Sequence, residues 1–469
     1  MSLSQSQSSG MKFWREALQQ AKYVVAPMVD QSELAWRLLC RRYGAQLCYT
    51  PMLHSAVFIR DATYRRENFK TCPEDRPLIV QFCGNDPDTL LKAAKIVEPH
   101  CDAVDLNLGC PQAIAKRGHY GAFLQDDWKL LEKIVSHLHQ NLKIPVTCKI
   151  RIFNELDKTV KYAQLLEKAG CQLLTVHGRT REQKKELTGL ADWNFIKVIK
   201  DSLSIPVFAN GNIQYFEDLE RCFTATGVDG IMSAEGILTN PALFSGKQVS
   251  CWQVAEEYLQ IVHQFPCTLS SVRGHLFKIW IHGTQRHLDL RNKLATGKSL
   301  EALVAVNTEF KQRTIAEEQT AVANQGKLPY WICQPYIRPS HSSKKSSERQ
   351  ERDEEVIRKN IEASRKARIK RKGNKIKSNG CKRERTEFKY KPCANCSSNP
   401  SGTRCEYGMC RKCCKSKTYN EVVDCKGHDF IFKTRQLIKE GKLPSFKQLK
   451  EEKKLTENNY AAHYTQVIS

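Results

Sequence analysis

Seven cysteines and one histidine between residues 393 and 428 form the most specific chemical signal in this sequence. The eight residues are Cys393, Cys396, Cys405, Cys410, Cys413, Cys414, Cys425 and His428. Thiolates and imidazoles are the ligands of tetrahedral zinc, and eight of them suffice for two ions. A segment this short, with few large apolar residues, could hardly fold without the metal. The spacing alone leaves open which ligands share an ion.

A second set of residues, most of them polar, follows a series of short apolar runs. Its members stand where seven of these runs end: Pro27, Met28 and Val29; Gln81; Asn107 and Cys110; Lys149 and Arg151; His177; Asn210, Gly211 and Asn212; and Ala234 and Glu235. One polar run end could arise by chance. Seven that meet on one rim are hard to explain as core packing, so they predict a site.

The chemistry of this second set points to a phosphorylated, partly anionic ligand. The small residues in the last two groups let backbone N–H groups approach a phosphate. Lys149 would be costly to bury without an anionic partner, such as a reduced flavin, and His177 could donate to the same ligand. Three other interpretations remain open: Gln81 as a satisfied buried amide, His177 as a rim histidine without a ligand, and Lys149 as the cation of a structural ion pair.

The elements that must position these residues recur at a nearly constant interval. The apolar, β-branched runs are 24–29, 47–50, 78–82, 103–108, 146–150, 173–177, 207–210 and 230–233, with amphipathic helical stretches between them. Eight strand–helix units predict an α/β fold with a (β/α)8 TIM barrel, whose chemistry lies at the carboxyl ends of the strands. A doubly wound sheet is the alternative.

Composition predicts further parts around the barrel. The chain of 469 residues has a formal net charge of +24, and most of the excess lies after residue 340, which indicates a polyanionic partner. We expect a disordered lead (1–20), the barrel (21–245), a small helical domain (246–335), a charged linker (336–390), a zinc-binding module (391–430) and a basic tail (431–469). No apolar run approaches the roughly 20 residues of a membrane span, and scattered cysteines favour a reducing compartment.

The order of five motifs carries a family resemblance. VAPMV, DLNLGCP, KIR, VHGRTREQ and FANGN occur over residues 23–244, and together they resemble the tRNA-dihydrouridine synthases. The stretches GCPQAIAKRGHYGAFLQ and MSAEGILTNPALF are similar to the eukaryotic subgroup that acts on positions 16 and 17 of the tRNA D-loop. The resemblance implies a barrel that binds FMN, with NADPH or NADH as the reductant. No GxGxxG loop for a resident dinucleotide is present, which suits a reductant that visits and leaves.

The resemblance also implies roles for individual residues. Cys110 matches the general acid that would protonate C5 of the uracil while FMN delivers a hydride to C6. Asn107 would bind the uracil edge and Arg151 the nucleotide backbone. The FMN ligands would be Pro27, Met28, Val29, Gln81, Lys149 and His177, with Asn210, Gly211, Asn212, Ala234 and Glu235 at its phosphate. Many bacterial relatives have Gly-Arg where this chain has Ala234-Glu235, so backbone N–H groups would have to contact the phosphate there.

Parts outside the barrel would bind the tRNA. The target base must leave its stack to be reduced, which costs less in a largely single-stranded loop. In the helical segment, Arg273, His275, Lys278 and Arg286 could form a phosphate-facing stripe, although an ordinary solvated helix shows the same pattern. The zinc module resembles the cross-braced finger of the plant SHI-related proteins, with a longer loop before Cys425. It could bind RNA or a protein.

Two other functions remain open at this stage. One is a non-catalytic RNA- or protein-binding scaffold, and the other is a small-molecule flavoenzyme on a related barrel. The basic tail argues against the second, because a small pyrimidine does not need it. We expect a monomer in the cytoplasm, the nucleus or both.

Overall fold

The computed structural model describes residues 8–184, 187–320, 328–336 and 391–442, except 398, 400, 403 and 429. The chain divides into two compact units, Met1–Ser340 and His341–Ser469. The barrel and the helical segment after it therefore belong to one compact unit. The expected linker (336–390) and most of the expected basic tail (431–469) lie outside the described residues.

Eight of the nine parallel strands in the described residues close into the barrel that the sequence predicts. The strands are β1 (Tyr23–Val25), β2 (Leu47–Tyr49), β3 (Leu53–His54), β4 (Leu78–Cys83), β5 (Ala103–Leu108), β6 (Val146–Arg151), β7 (Leu174–His177), β8 (Val207–Asn210) and β9 (Gly230–Ser233). β1 pairs with β9 and β2, and β2 pairs with β4, which closes the ring. The short β3 pairs only with the end of β4. All strand carboxyl ends therefore meet at one rim.

The first strand is shorter than the apolar run that predicts it. β1 ends at Val25, and the backbone N–H of Ala26 makes one more bond, to the carbonyl of Ser233. Pro27 has no N–H to continue the ladder. The next residue, Met28, instead exchanges hydrogen bonds with the Ser32 hydroxyl in a turn. Residues 27–29 thus form a loop on the rim rather than strand.

Helices surround the barrel and follow it. They are α1 (Ser9–Glu16), α2 (Leu34–Arg42), α3 (Ser55–Arg60), α4 (Ala62–Asn68), α5 (Pro87–Val97), α6 (Ala113–Gly118), α7 (Trp128–Asn141), α8 (Leu156–Lys168), α9 (Trp193–Ser202), α10 (Glu217–Thr226), α11 (Glu235–Thr239), α12 (Cys251–Gln264), α13 (Leu269–Ile279), α14 (Gly283–Arg286), α15 (Leu288–Thr296) and α16 (Leu300–Thr320). Several begin at a carboxylate cap. Asp86 and Asp127 accept backbone N–H bonds at the starts of α5 and α7, as N-caps do.

The expectation of a disordered lead through residue 20 is wrong from Ser8 onward. Helix α1 buries Phe13 and Trp14 against residues that fill the amino-terminal end of the barrel, including Leu173 and Phe208. The Trp14 indole N–H donates to the carbonyl of Ala21 at 3.1 Å. Burial of these two aromatic side chains is enough to order the helix, although most of the lead sequence is polar.

The helical segment is joined to the barrel through a buried polar contact. The Nε2 atom of His275 lies 2.9 Å from a carboxylate oxygen of Glu33, and its ring stacks on Trp36 at 3.9 Å between centroids. His275 is fully buried, so the expected phosphate-facing stripe is wrong at this residue. Arg273 donates to the carbonyl of Gly297, which engages it within the helical segment.

The second unit is small and rich in cysteine. It contains α17 (Arg411–Asn420), β10 (Asp424–Cys425), β11 (Phe430–Ile431) and α18 (Phe432–Lys439). β10 and β11 are antiparallel, with Cys425 opposite Phe430. The structured module therefore continues past residue 430, into the range expected to be a basic tail. Among the described helices of the chain, none is both long and apolar enough to cross a membrane.

Candidate functional site

A chain of buried hydrogen bonds underlies the rim of the barrel. Asp105, on β5, accepts from the Thr147 hydroxyl at 2.6 Å and from the Gln81 amide nitrogen at 2.8 Å. The Gln81 oxygen in turn accepts from the Asn107 amide nitrogen at 2.8 Å. Because a carboxylate is only an acceptor, Asp105 determines which way the Gln81 amide points. Gln81 is thus a buried amide with partners on both ends.

The same chain of bonds reaches the loop that carries Cys110. The Asn107 oxygen accepts the backbone N–H groups of Gly109 and Cys110 at 3.2 and 2.9 Å. Asn107 is therefore engaged on both sides, by Gln81 below and by the loop above. The expected contact of Asn107 with a uracil edge stays a prediction, and its observed contacts orient the loop.

Cys110 has the environment of a neutral thiol. It is half-buried, and burial raises the pKa of its thiol above the ordinary value, although the Gln112 backbone and the charge of Arg151 act in the opposite direction. A raised pKa keeps the sulfur protonated near neutral pH. Gly121 lies directly against it, because a Cβ there would come within 2.8 Å of the Cys110 carbonyl oxygen. The site therefore places a protonated thiol on a tightly held loop.

Arg151 ties two rim loops together. Its Nε atom donates to the carbonyl of Gly109 at 2.8 Å, and its Nη1 atom donates to the carbonyl of Thr180 at 2.8 Å. These bonds join the loop after β5 to the loop after β7. The expected contact of Arg151 with the nucleotide backbone stays a prediction beside this role in holding the loops.

A cavity of about 580 Å³ opens at the ends of β7, β8 and β9. The expected cofactor residues in its wall are His177, Asn210, Gly211, Asn212, Ala234 and Glu235, together with Arg151. Gly211 has a φ of +114°, and a Cβ there would lie 2.7 Å from the Cβ of Ala191. Only glycine fits this conformation and this space. The cavity floor is thus backbone, which allows close approach by a ligand.

The cavity wall includes a cation whose role the sequence analysis did not assign. The Arg179 guanidinium donates to the side-chain oxygen of Asn212 at 2.6 Å and lies 3.1 Å from the Nε2 atom of His177. Burial lowers the pKa of Arg179, and the nearby carboxylate of Glu235 opposes this. Arg179 follows His177 by two positions in the VHGRTREQ motif. This position was the sequence signal that could have identified Arg179 as a site residue.

Positive side chains crowd this rim. Burial, then the charge of Arg151, lowers the pKa of Lys149 to about 7, and its Nζ atom donates to the Asn210 oxygen at 2.8 Å. Burial also holds the pKa of His177 well below its ordinary value, with Lys149, Arg151 and Arg179 acting in the same direction. An anionic ligand at this rim would favour the charged forms of these groups and would raise their pKa values.

The loop after β1 completes one side of the rim. Val25 pairs with Ser233, so residues 27–29 follow β1 beside the start of the loop after β9. Val29 is 51% exposed although it is apolar. Met28 is held by the Ser32 hydroxyl. The expected contact of Pro27, Met28 and Val29 with a flavin ring stays a prediction.

The two expected tRNA-binding residues of the helical segment do not line the main cavity. Arg273 bonds the end of α15. Lys278 lines a separate, smaller cavity of about 110 Å³. The two cavities share Gln214 and Glu235 in their walls, so Lys278 lies next to the main cavity.

The cysteine-rich unit contains two groups of metal-ligating side chains among the described residues. One group is Cys393, Cys396, Cys410 and Cys413, and the other is Cys405, Cys414, Cys425 and His428. In each group the ligand atoms lie within 4.8 Å of one another. The sulfur atoms of Cys396 and Cys410 are 3.9 Å apart, close to the edge of about 3.8 Å expected for a tetrahedron with metal–sulfur distances of about 2.3 Å. The two groups interleave along the chain, because Cys405 precedes Cys410 and Cys413, and this is a cross-braced arrangement.

Comparison with known proteins shows the family of this chain. The chain matches the dihydrouridine synthase (Dus) family over residues 24–327, and it belongs to that family. It is 52% identical to a Mus musculus protein named tRNA-dihydrouridine(16/17) synthase NAD(P)(+)-like, over 96% of this chain and 97% of that one. A Schizosaccharomyces pombe tRNA-dihydrouridine(16/17) synthase is 47% identical over 68% of this chain and 88% of its own. A Homo sapiens protein named for positions 20a/20b is 40% identical over 52% of this chain and 78% of its own.

Replacing Asp105 with asparagine should loosen the Cys110 loop. An amide nitrogen would face a donor from Gln81 or Thr147, and the lost bond of about 1 kcal/mol corresponds to about fivefold. We expect Cys110 to be alkylated several-fold faster in Asp105→Asn, measured by mass spectrometry of its peptide. The control is Asp102→Asn, which removes a carboxylate charge at the opposite end of the barrel, where Asp102 accepts the Leu78 backbone N–H and pairs with Arg76.

The same variant should change how stability depends on pH. Burial raises the pKa of Asp105 from 3.8 to about 6, against the hydrogen bonds of Thr147 and Gln81. The folded state then holds this proton more tightly than the unfolded state, so the group costs stability as the pH rises through this interval. The parent should lose stability relative to Asp105→Asn between pH 4 and 6 in thermal melts. Parallel curves together with equal alkylation would refute the role given to Asp105.

Proposed function

We propose that the chain is an FMN-dependent tRNA-dihydrouridine synthase that reduces uridines of the tRNA D-loop, at positions 16 and 17, with NADPH or NADH as the reductant. The observation that carries the proposal is the joint placement of the family's cysteine, Cys110, on a loop held by Asn107 and Arg151, and of a cavity lined by cations at the adjoining strand ends. The choice of positions rests on relatives named for 16/17, which are more similar to this chain than the one named for 20a/20b.

The rim residues fit FMN. Its phosphate needs backbone approach and positive charge, and the cavity offers both at Gly211 and Arg179. Lys149 and His177 would contact the isoalloxazine ring, Gln81 would hydrogen-bond it, and residues 27–29 would surround it. Residues 210–212 and 234–235 would hold the phosphate. When bound, FMN supplies the hydride that reduces the C5=C6 bond of uracil.

The protein's own groups supply the proton and the pocket. Cys110 holds a proton on Sγ because burial raises its pKa, and this proton would pass to C5 of the base. Asn107 keeps the loop in position by accepting its N–H groups. The uridine must be extruded to reach the thiol, and the D-loop lowers the cost of extrusion. We propose that the protein acts as a monomer in the cytoplasm, the nucleus or both.

We further propose that Arg179 neutralises the FMN phosphate. The helix after β9, α11, has five residues and begins with Glu235, and the helix after β8, α10, has three acidic residues in its first turn. Neither helix start therefore favours an anion. Arg179 is bonded to Asn212 and lies over Gly211, with its Nη1 atom 3.4 Å from where a Cβ would stand. It takes the place of the arginine that many bacterial relatives carry after the eighth barrel strand.

The two groups of four ligands fit two zinc ions. Seven thiolates and one imidazole are a zinc donor set, and the module has too little apolar area to fold well without metal. The first ion would be held by Cys393, Cys396, Cys410 and Cys413, and the second by Cys405, Cys414, Cys425 and His428.

Cys110→Ala should abolish reduction while binding is retained. Loss of a general acid lowers rates by roughly 10²–10⁴-fold, so dihydrouridine formed in unmodified tRNA, measured by mass spectrometry of nucleosides, should fall by at least 100-fold. FMN content and tRNA affinity should stay at parental values. Cys72→Ala, at a half-buried cysteine outside the rim, is the control. Parental turnover in Cys110→Ala would exclude Cys110 as the acid.

Arg179→Met should weaken FMN binding without affecting riboflavin. A hydrogen bond to a charged group contributes about 1.5–3 kcal/mol, which corresponds to roughly 10- to 100-fold in affinity. Titration of the flavin-free protein, followed by flavin fluorescence, should show this loss for FMN only. Arg181→Met, which breaks an ion pair with Asp126, is the matched control. An equal loss for both flavins would mean that Arg179 does not contact the phosphate.

The purified chain should contain two zinc ions. Elemental analysis of Cys396→Ser and of Cys414→Ser should show the loss of at least one ion in each, and the second unit should become sensitive to proteolysis. Cys72→Ser should keep both ions. A parent with a single ion, or with none after expression in zinc-rich medium, would contradict the two-site assignment.

A further inference from the structure

One face of the zinc module carries side chains that the folding of the module does not use. Helix α17 contributes Cys413 to one metal group and Cys414 to the other, and its inner side is completed by the buried Thr418. Its outer side consists of Lys412, Lys415, Ser416 and Tyr419, which are all exposed. These positions are related by i, i+3, i+4 and i+7, so they lie along one stripe of the helix. We call this stripe, with the adjoining Phe432, the α17 face.

The charges of the α17 face are available for a partner. The Lys412 and Lys415 ammonium groups form no ion pair or hydrogen bond with any described residue, whereas Lys417, on the flank, pairs with Glu421 at 2.7 Å. Residues 391–442 contain eleven lysines and arginines against five aspartates and glutamates. A surface with this balance attracts a polyanion.

An aromatic side chain completes the face. Tyr419 is 67% exposed. Its ring meets the ring of Phe432 edge to face, with 5.5 Å between centroids, and Phe432 lies 6.1 Å from Phe430. Arg411 in turn covers Phe430 at 5.2 Å. The Tyr419 ring is thus held in place by Phe432 and Phe430, and one of its faces is exposed and can stack on a base.

We infer that the α17 face binds a single-stranded segment of the tRNA, with Lys412 and Lys415 on phosphates and a base stacked on Tyr419. Stacking on an exposed aromatic contributes about 1–3 kcal/mol per base, and lysines follow the backbone without reading the sequence. A protein partner is disfavoured, because the cores of protein interfaces are depleted in lysine. The inference rests on the proposed function for the identity of the RNA. It adds the surface of the second unit that binds this RNA.

The test measures tRNA affinity of the full, zinc-loaded chain at several salt concentrations. Lys412→Glu with Lys415→Glu should weaken binding at least tenfold and reduce the slope of log K against log salt by about 1–2, since each phosphate contact contributes about one unit. The matched control is Lys129→Glu with Lys133→Glu, two exposed lysines on α7 of the barrel. It should leave affinity and slope near parental values.

Variants of Tyr419 separate stacking from simple burial. Tyr419→Leu should weaken binding about 5- to 100-fold without a change in salt slope, whereas Tyr419→Phe should keep parental affinity because the ring remains. A partner that only buried apolar surface would accept leucine. In both sets, turnover at saturating tRNA and FMN content should be unchanged while KM rises, because the variants lie outside the barrel.

The outcomes are distinguishable from failure of the proposed function. Parental affinity and slope in the glutamate and leucine variants, in an enzyme that still reduces uridine, would overturn the inference and leave a protein as the partner of this face. A parent chain that neither reduces uridine nor binds tRNA would overturn both. If the glutamate variants lose zinc, Lys412→Gln with Lys415→Gln decides instead, and an unchanged slope there overturns the inference.

Discussion

A buried carboxylate orients the centre of this protein. Asp105 can only accept hydrogen bonds, so the amide nitrogen of Gln81 must face it and the Gln81 oxygen must face Asn107. The Asn107 oxygen is then directed to the N–H groups of the loop that carries Cys110. At each of these hydrogen bonds only one orientation of the side chain pairs every polar atom, because an unpaired buried polar group would cost about 1–3 kcal/mol. The backbone N–H groups of Gly109 and Cys110 fix the same network from its other end, because they can only donate to the Asn107 oxygen.

A second constraint is electrostatic. Arg151, His177 and Arg179 line one cavity, and burial lowers the pKa of each. Such a set is unfavourable in the protein alone and becomes favourable when an anion enters. A phosphorylated, electron-rich cofactor would therefore favour the charged forms of these groups. The carboxylate of Glu235, in the same wall, acts in the opposite direction to burial on the pKa of Arg179.

The sequence predicted the barrel and its rim because both depend on local patterns. Runs of β-branched residues at regular spacing define strands buried on both faces, and polar residues at their ends converge whatever the details of the helices. Other features depend on distant contacts. The lead sequence looks polar, yet Trp14 and Phe13 plug the barrel floor. His275 looked like a surface cation, yet Glu33, from a loop about 240 positions away, pairs with it in the interior. The ligand pairing of the zinc module likewise required coordinates.

The two units differ in the apolar area that is available to form a core. The barrel has enough apolar area to bury a polar network and still fold, so its chemistry lies inside, where a low dielectric strengthens each interaction. The cysteine-rich unit has little core, and its cross-braced metal groups replace that core. Since α17 contributes ligands to both groups through Cys413 and Cys414, its inner side is committed and its outer side is not. The outer side of α17 can therefore present lysines and an aromatic ring to a partner without loss of stability. The interior residues of the catalytic barrel are packed on every strand and could not do this.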